Sequence, residues 1–289
     1  MSENDRLHRF LIEHTHVRGE MVHLDATWKA VLERCEYPET VRKILGEALA
    51  ACALLAATIK FSGSLILQIR GDGPLHLLVA QATSSGTMRA IARWHDDVPD
   101  HDLNAIFGNG QMVITIEPDD GDPYQGIIAL QGDQLNQAIE SYFQQSEQLN
   151  TRLWLSADNN ACAGFLLQEM PGEDPDADAW QRTTHLASTI TPAELLQLDI
   201  QSLLHRLFHE EDIRLFEAEP ICFRCNCSRD RISSILLSLG LNEVHSILEE
   251  QQNIEVDCEF CNTHYSFDAV DVEAIFASSH QPEIPHTKH

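Results

Sequence analysis

The sequence predicts an α+β protein with an N-terminal mixed α/β domain containing antiparallel sheets, a helical linker segment, and a small C-terminal domain rich in cysteine. Three observations predict this fold class and division of the chain. A long Ala- and Leu-rich stretch is followed by alternating segments separated by turns, an acidic Pro-containing segment breaks that pattern near residue 171, and five of the eight cysteines lie within residues 222–261. At roughly 150 residues per domain, 289 residues correspond to about two domains.

The N-terminal elements follow from periodicity and turn residues. Residues 40–59 predict one helix with Thr40 as its N-cap. Alternating apolar residues at 65–70, 75–79 and 88–94, separated by Gly- and Ser-containing turns, predict an antiparallel meander. His14 and His16 alternate at strand spacing, which would allow them to bind a metal on one face, but the solvent-facing edge of a strand is the preferred interpretation. Further strands are expected at 111–117, 124–130, 151–156 and 161–169, with a helix near 133–147.

The chain divides at Pro171–Asp178, where two prolines, a glycine and four acidic residues occur in eight positions. We expect an N-terminal core domain over 1–172 and an acidic loop with helical linker over 173–220. Within the linker, Thr191-Pro192-Ala193-Glu194 is a capping box with Pro at the first helical position, and Asp199 caps a second short helix. Because these helices have no long partner before Cys222, they should pack on a neighbouring domain. Residues 221–277 should form the cysteine domain and 278–289 a disordered tail.

Charge and hydropathy limit the partners. The chain has 19 Lys+Arg and 45 Asp+Glu, a net charge of −26, and residues 221–289 carry four basic against 11 acidic residues. Such a field repels phosphate backbones, so no nucleic-acid partner is expected; a zinc-ribbon nucleic-acid or transcription module remains the alternative interpretation. The N-terminus lacks an apolar signal core, and the longest apolar stretch, 48–59, is shorter than the ~20 residues that cross a bilayer. A cytoplasmic protein without a membrane partner is expected.

The clustered cysteines predict a zinc site. Cys258-x-x-Cys261 supplies one pair of thiolates, and the first pair is either Cys222 and Cys225 or Cys225 and Cys227. In the latter case 30 residues, 228–257, separate the two pairs. Spacing alone does not choose between them. We expect one zinc ion per chain in the reduced protein, with His264 as a surface residue in preference to a ligand. Ser228 should cap a helix ending before Gly240 and Asn242 should open another, so metal binding must supply much of this small domain's folding energy.

No motif indicates an enzyme. The sequence contains no G-x-S-x-G, no Walker loop and no H-E-x-x-H. A thiol–disulfide oxidoreductase using Cys258 and Cys261 would need a βαβ context, which the surrounding pattern does not provide. The isolated thiols Cys35, Cys52 and Cys162 are expected to be small buried hydrophobic residues.

The tight Cys225-Asn226-Cys227 pair followed by Cys258-Glu259-Phe260-Cys261 resembles the thirty-three-kilodalton redox-regulated heat-shock chaperone family. The resemblance spans residues 6–276. Cys222 is not a position that the family pattern requires, so it is either an inert neighbour or a competing thiol. Stretches that match family signatures are Val17–Glu20, Leu54–Phe61, Gly71–Leu75, Phe223–Arg231 and Cys258–Phe267.

The resemblance implies an ATP-independent holdase chaperone, a homodimer, that binds unfolded client proteins after oxidation and protects against oxidative and heat stress. It implies zinc held by Cys225, Cys227, Cys258 and Cys261. On oxidation of these four cysteines, sequence proximity favours the disulfides Cys225–Cys227 and Cys258–Cys261. Zinc loss would then loosen residues 179–220, and the exposed apolar residues would be candidate client contacts, among them Leu203, Leu207 and Phe208.

Overall fold

The computed structural model describes residues 5–59, 62–130, 132–172 and 176–279. The chain forms two compact units, Met1–Arg224 and Cys225–His289. The division falls at the first cysteine of the Cys-x-Cys pair, and the segment expected to be a linker belongs to the first unit. Most of the expected disordered tail, from residue 280 onward, lies outside the described residues.

The first unit combines helices and strands, which confirms the predicted α+β class. The strands expected between residues 65 and 169 are all present, and the helix expected near 133–147 is α4 continued by a π-helical turn, Phe143–Glu147. The helices are α1 (Ala26–Leu32), α2 (Glu39–Thr58), α3 (Leu103–Phe107), α4 (Leu135–Tyr142), α5 (Ala179–Ala187), α6 (Pro192–Gln197) and α7 (Ile200–Phe208). The strands are β1 (Arg6–Ile12), β2 (Val17–Leu24), β3 (Gly63–Arg70), β4 (Leu75–Thr83), β5 (Thr87–Trp94), β6 (Gln111–Pro118), β7 (Tyr124–Ala129), β8 (Thr151–Ala157), β9 (Cys162–Glu169), β10 (Ile213–Leu215), β11 (Glu219–Pro220) and β12 (Cys222–Phe223).

These strands form two six-stranded sheets. In the first sheet the order is β10-β1-β2-β9-β8, with β11 also paired to β1. In the second the order is β12-β5-β4-β3-β6-β7. The predicted meander is confirmed, because β3 pairs with β4 and β4 with β5, both antiparallel. The short strand β12 runs parallel to β5 and places Cys222 opposite Thr87.

Helix α2 builds the larger core of the first unit by packing against strands of both sheets. It begins at Glu39 after Pro38, so the prediction of Thr40 as its N-cap is wrong. Cys52 is fully buried on this helix and its Sγ–H donates to the carbonyl of Ala80 at 3.4 Å. Burial raises the pKa of Cys52 to about 12, so this thiol behaves as the expected small hydrophobic residue. Cys162 is also fully buried, whereas Cys35 is half-buried.

A second core lies on the opposite face of the first sheet and is closed by α5, α6 and α7. The ring of Phe10 on β1 lies 5.6 Å from that of Phe165 on β9, and Phe208 on α7 lies 6.4 and 6.5 Å from the two. The capping box at Thr191 and the Asp199 cap are both formed, which confirms the predicted helix starts. The first sheet is therefore buried on both faces, and the helical segment forms one of its covers.

The N-terminal hairpin β1–β2 was not predicted, and the interpretation of its histidines is wrong. His14 and His16 lie in the turn between the two strands, with His14 at a φ of 62°, and not on a strand edge. No helix among the described residues is both long and apolar enough to span a membrane.

The second unit is small. Its elements are α8 (Arg229–Leu239), α9 (Leu241–Gln251), β13 (Ile254–Asp257), β14 (His264–Phe267) and α10 (Ala269–Ser279). Ser228 caps α8 as predicted, its Oγ accepting from the N–H of Arg231 at 3.2 Å. The next helix begins at Leu241, one residue before the predicted Asn242, because Gly240 at a φ of 89° ends α8 and starts α9 directly. The buried core is Ile232, Leu236, Val244, Ile254, Phe267 and Val272.

Candidate functional site

The second cysteine pair lies in the turn of a β-hairpin in the second unit. Strands β13 and β14 pair with Asp257 opposite His264, and the turn between them carries Cys258 and Cys261. The N–H of Cys258 donates to the carbonyl of Thr263 at 2.9 Å, while the N–H groups of Cys261 and Asn262 both donate to the carbonyl of Cys258. This backbone network folds the turn so that both sulfurs face the same side.

The first pair, Cys225 and Cys227, lies in the loop that enters α8, and Arg229 fixes that loop to the hairpin. The Arg229 guanidinium donates to the carbonyl of Ser266 at 2.9 Å and forms an ion pair with Asp271 at 2.7 Å. It also lies 4.2 Å from the centre of the Phe267 ring. One side chain thus joins the start of α8 to β14 and α10.

The two loops bring four sulfurs together. The Sγ atoms of Cys225, Cys227, Cys258 and Cys261 all lie within 4.8 Å of one another. Cys225 and Cys258 are 3.6 Å apart, and Cys227 and Cys261 are 3.3 Å apart. A zinc–sulfur bond of about 2.3 Å in a tetrahedron corresponds to sulfur–sulfur edges of about 3.8 Å, which these distances approach. The donor set and its size fit a closed four-thiolate metal site.

The electrostatics of the cluster also favour a cation. Burial raises the pKa of Cys258 to about 12. For Cys261, hydrogen bonds from the side chain and backbone of Thr263 and from two neighbouring thiols outweigh burial and lower the pKa to about 6. The pKa values of these two thiols move in opposite directions, since neighbouring thiolates repel one another and ionisation of one opposes ionisation of the next. A divalent cation at their centre would remove that repulsion and favour the thiolate at all four.

Two hydroxyl groups contact the sulfurs, and the sequence analysis does not identify the residues that carry them as part of the site. The hydroxyl of Tyr265 donates to Cys227 Sγ at 3.2 Å, and Thr263 Oγ1 lies 3.1 Å from Cys261 Sγ. Tyr265 is half-buried on β14, two residues from the buried Phe267, so both face the core side of the hairpin. This alternation is the sequence feature that could have identified Tyr265 as a residue of the site. For Arg229, the corresponding feature is its position directly after the capping serine.

The remaining candidates lie elsewhere. Cys222 is exposed on β12 in the first unit and is not among the four clustered sulfurs. His264 places both ring nitrogens on carboxylates, with Nδ1 at 2.8 Å from Asp257 and Nε2 at 2.8 Å from Glu255. The described residues include all eight cysteines, and none of these is in a disulfide in this structure, so the expected pairs Cys225–Cys227 and Cys258–Cys261 are not joined.

The residues expected to contact clients are buried in the second core of the first unit. Leu203, Leu207 and Phe208 on α7 have 0%, 3% and 2% of their surface exposed. They pack with Phe10 and Phe165 on the first sheet. They become accessible to another chain only when α7 leaves the sheet.

The fold and the four-sulfur cluster define a class of two-unit proteins that carry a small C-terminal cysteine unit, and comparisons identify the family. A sequence profile described as Hsp33 protein matches residues 5–268. The chain is 52% identical over 289 residues to the 33 kDa chaperonin of Nitrosococcus oceani, covering all of both chains. It is 47% identical over 283 residues to the 33 kDa chaperonin of Methylobacillus flagellatus, covering 96% of each.

A solved structure shares the fold. The crystal structure of the 33 kDa chaperonin from Thermotoga maritima superposes with a TM-score of 0.82 and 21% identity, covering 96% of this chain and 99% of that one. This chain belongs to the Hsp33 family, which confirms the resemblance inferred from its cysteine motifs.

Proposed function

We propose that this protein is a redox-regulated, ATP-independent holdase chaperone that binds unfolded proteins after oxidation of its cysteine cluster. The observation that carries the proposal is the meeting of four cysteine sulfurs within 4.8 Å in a unit with a very small core. Family membership supports the chaperone role, since the curated relatives are named 33 kDa chaperonin. We propose a cytoplasmic homodimer that is not an enzyme and has no nucleic-acid or membrane partner.

In the resting state, Cys225, Cys227, Cys258 and Cys261 would hold one zinc ion. Bound zinc would keep the four sulfurs as thiolates and cross-link the two loops that carry them. Other contacts of the chain position the sulfurs. The backbone hydrogen bonds of the hairpin turn orient Cys258 and Cys261, Arg229 holds the loop of the first pair, and the hydroxyl of Tyr265 donates to Cys227. Because the core of this unit has six buried residues among those that the structure describes, the cross-link would supply much of its stability.

Oxidation by a peroxide would dismantle the cluster in two balanced steps. A thiolate attacks one oxygen of hydrogen peroxide, the O–O bond breaks, and hydroxide leaves a sulfenic acid behind. A second thiolate attacks that sulfur, the S–O bond breaks, and a second hydroxide leaves as the disulfide forms. Two electrons pass from two sulfurs to one peroxide. We propose the pairs Cys225–Cys227 and Cys258–Cys261, since neighbours in sequence stay together when the loops separate.

Loss of the cluster would release the helical segment 179–220. This segment is held by the second core and by the short strands β10 and β11, of three and two residues. The chain runs from β10 to Cys225 within ten residues, so unfolding of the second unit would place flexible chain directly after this segment. Release would expose Leu203, Leu207 and Phe208 together with the sheet surface that they cover, providing apolar area for unfolded clients.

The test compares the full-length protein before and after peroxide treatment with mild heating. Zinc content, free thiols and suppression of client aggregation are measured on the same samples. We expect one zinc per chain and no suppression of aggregation before treatment, and zinc release with suppression of aggregation after it.

Single Cys→Ser variants should lose zinc at 225, 227, 258 and 261, whereas Cys222→Ser should retain it. Zinc loss at Cys222→Ser with retention at Cys227→Ser would show that the ligand pair is 222 and 225. Aggregation suppression that is independent of oxidation would contradict the switch.

A further inference from the structure

Two histidines of the first unit form a group of metal-binding atoms that the cysteine chemistry does not use. We propose that His76 and His95 are an open, two-ligand site for a divalent transition-metal ion such as nickel or zinc. His76 is half-buried on β4 and His95 is exposed, directly after the end of β5. The proposal concerns this unit alone and does not depend on the redox switch.

A local irregularity of the sheet directs His76 toward His95. Leu75 is paired with Trp94 and Leu77 with Arg93, so His76 is the extra residue of a bulge between two regular pairs. Bulges re-aim a side chain that would otherwise alternate with its neighbours. The backbone is fixed on both sides, because the N–H of His95 donates to the carbonyl of Pro74 at 2.9 Å and that of Gly71 to the carbonyl of His76 at 3.2 Å.

The two imidazoles already have the spacing of a chelate. Their Nδ1 atoms are 3.2 Å apart, and the ring centres are 5.3 Å apart with 30° between the planes. With metal–nitrogen bonds of about 2.05 Å, that separation gives an angle at the metal of about 103°. This value lies between the 90° of square or octahedral coordination and the 109° of a tetrahedron. The distance between the two nitrogens therefore suits a metal ion bound by both rings.

Without a metal, the contact between the two Nδ1 atoms is favourable only when one of the two rings carries a proton on Nδ1. One Nδ1–H can donate to the other Nδ1, but two rings protonated at Nε2 present two acceptors to each other. A cation between them removes that conflict. In the described part of the chain, neither ring has another hydrogen-bond partner, so no competing side chain holds the rings in a different orientation.

The ligand number and the surrounding charge define the kind of ion. Among the described residues, the cysteine cluster is the one group in which three or more such ligands meet, so His76 and His95 would share the ion with water. Imidazole suits zinc, nickel and copper better than magnesium or calcium. Asp96 and Asp97 follow His95, and the net charge of −26 raises the local concentration of cations. The site should bind reversibly and exchange its ion.

The experiment titrates nickel into the zinc-loaded, full-length protein by calorimetry and equilibrium dialysis. His76→Gln and His95→Gln should each weaken one nickel-binding event by a factor of about 10 to 100, because each removes half of a chelate. The double variant should lose this binding event altogether, because no imidazole remains at the site. His101→Gln, an exposed histidine of the same unit, is the matched control and should bind nickel like the wild type.

Two results would overturn the proposal: wild-type affinity in either single variant, as expected for two independent histidines, or an equal loss in His101→Gln. A second measurement does not need a variant. In the wild-type protein, substoichiometric paramagnetic nickel should broaden the ring proton signals of His76 and His95 together and before those of other histidines. Broadening of only one of the two would also exclude the chelate.

Discussion

Arg229 shows how one side chain organises a unit that has little core. Its guanidinium reaches the carbonyl of Ser266, the ring of Phe267 and the carboxylate of Asp271, and thus touches both elements that follow the cysteine turn. The ion pair is largely exposed, with 48% and 42% of the two side chains accessible, so it contributes little by itself. The hydrogen bond and the ring contact should dominate.

Arg229→Met should therefore lower the free energy of unfolding of the second unit by about 1–2 kcal/mol, the sum expected for one hydrogen bond and one cation–π contact. The measurement is a urea titration followed through the amide signals of residues 229–279. Arg231→Met is the matched control, since Arg231 is exposed and its side chain makes no contact of this kind. Equal destabilisation by both substitutions would exclude this role for the guanidinium.

The environment of His264 predicts a pH dependence of the same unit. The hydrogen bond to Asp257 is the main cause of a raised pKa, with Glu255 adding to it. A raised pKa in the folded state means that the protonated ring stabilises the fold. This contribution is complete below the ordinary pKa of 6.5 and is lost as the pH rises through the higher folded value.

The stability advantage of the wild type over His264→Gln should accordingly be largest near pH 6 and decline toward pH 8. The difference between the two proteins cancels the titration of the thiols, which both contain. Urea titrations at several pH values measure it, and an advantage that does not change with pH would rule out a stabilising imidazolium.

At the scale of elements, the helical segment and the first sheet depend on each other. Helices α6 and α7 have well-formed caps, so their starts are not the weak point. Helices of six and nine residues are too short to be stable in water by themselves. Packing on the sheet must therefore supply the free energy that stabilises them. Leu203, fully buried between α7 and the sheet, is central to that packing.

Leu203→Ala should weaken the docking of this segment by about 2–5 kcal/mol, the usual cost of emptying a buried leucine site. Hydrogen exchange should then accelerate across residues 179–215 while the amides of α2 keep their protection. Gln201→Ala, an exposed change on the same helix, is the control and should leave exchange at wild-type rates. Uniform acceleration over the whole first unit would mean that the segment does not open separately.

At the scale of the whole molecule, the two units should respond differently to loss of metal. The first unit has two extensive apolar cores, whereas the core of the second unit contains six buried residues over the described range 225–279. Treatment of the reduced protein with a chelator should abolish the amide dispersion of residues 225–279 and leave that of α2 and the second sheet intact. Re-addition of zinc should restore the lost signals. Cooperative melting of the entire chain on chelation would contradict independent cores.

Sequence patterns predicted elements best where only one face is buried. Strand β3 alternates between buried and half-buried or exposed positions from Leu65 onward, and β4 and β5 bury every second residue over part of their length, although residues 80–82 and 90–92 are all buried. Their period of two was therefore visible. Strands β1 and β2 lie between α2 on one face and the helical segment on the other, and both faces carry apolar residues. A strand buried on two sides loses its alternation, so β1 and β2 give no signal of period two. Strand β9 is also buried on both faces but is a long apolar run, and it is predicted.

The sequence by itself determined the class of the fold, the caps of α6, α7 and α8, and a cysteine spacing that permitted two choices for the first pair. Those features are local, because a capping box or a Cys-x-x-Cys turn needs only neighbouring residues. Only the tertiary structure decided that Cys227 and not Cys222 joins the cluster, that Tyr265 and Arg229 support it, and that a bulge brings His76 to His95. These are contacts between distant parts of the chain, and their geometry follows from packing and strand register, which no short stretch of sequence contains.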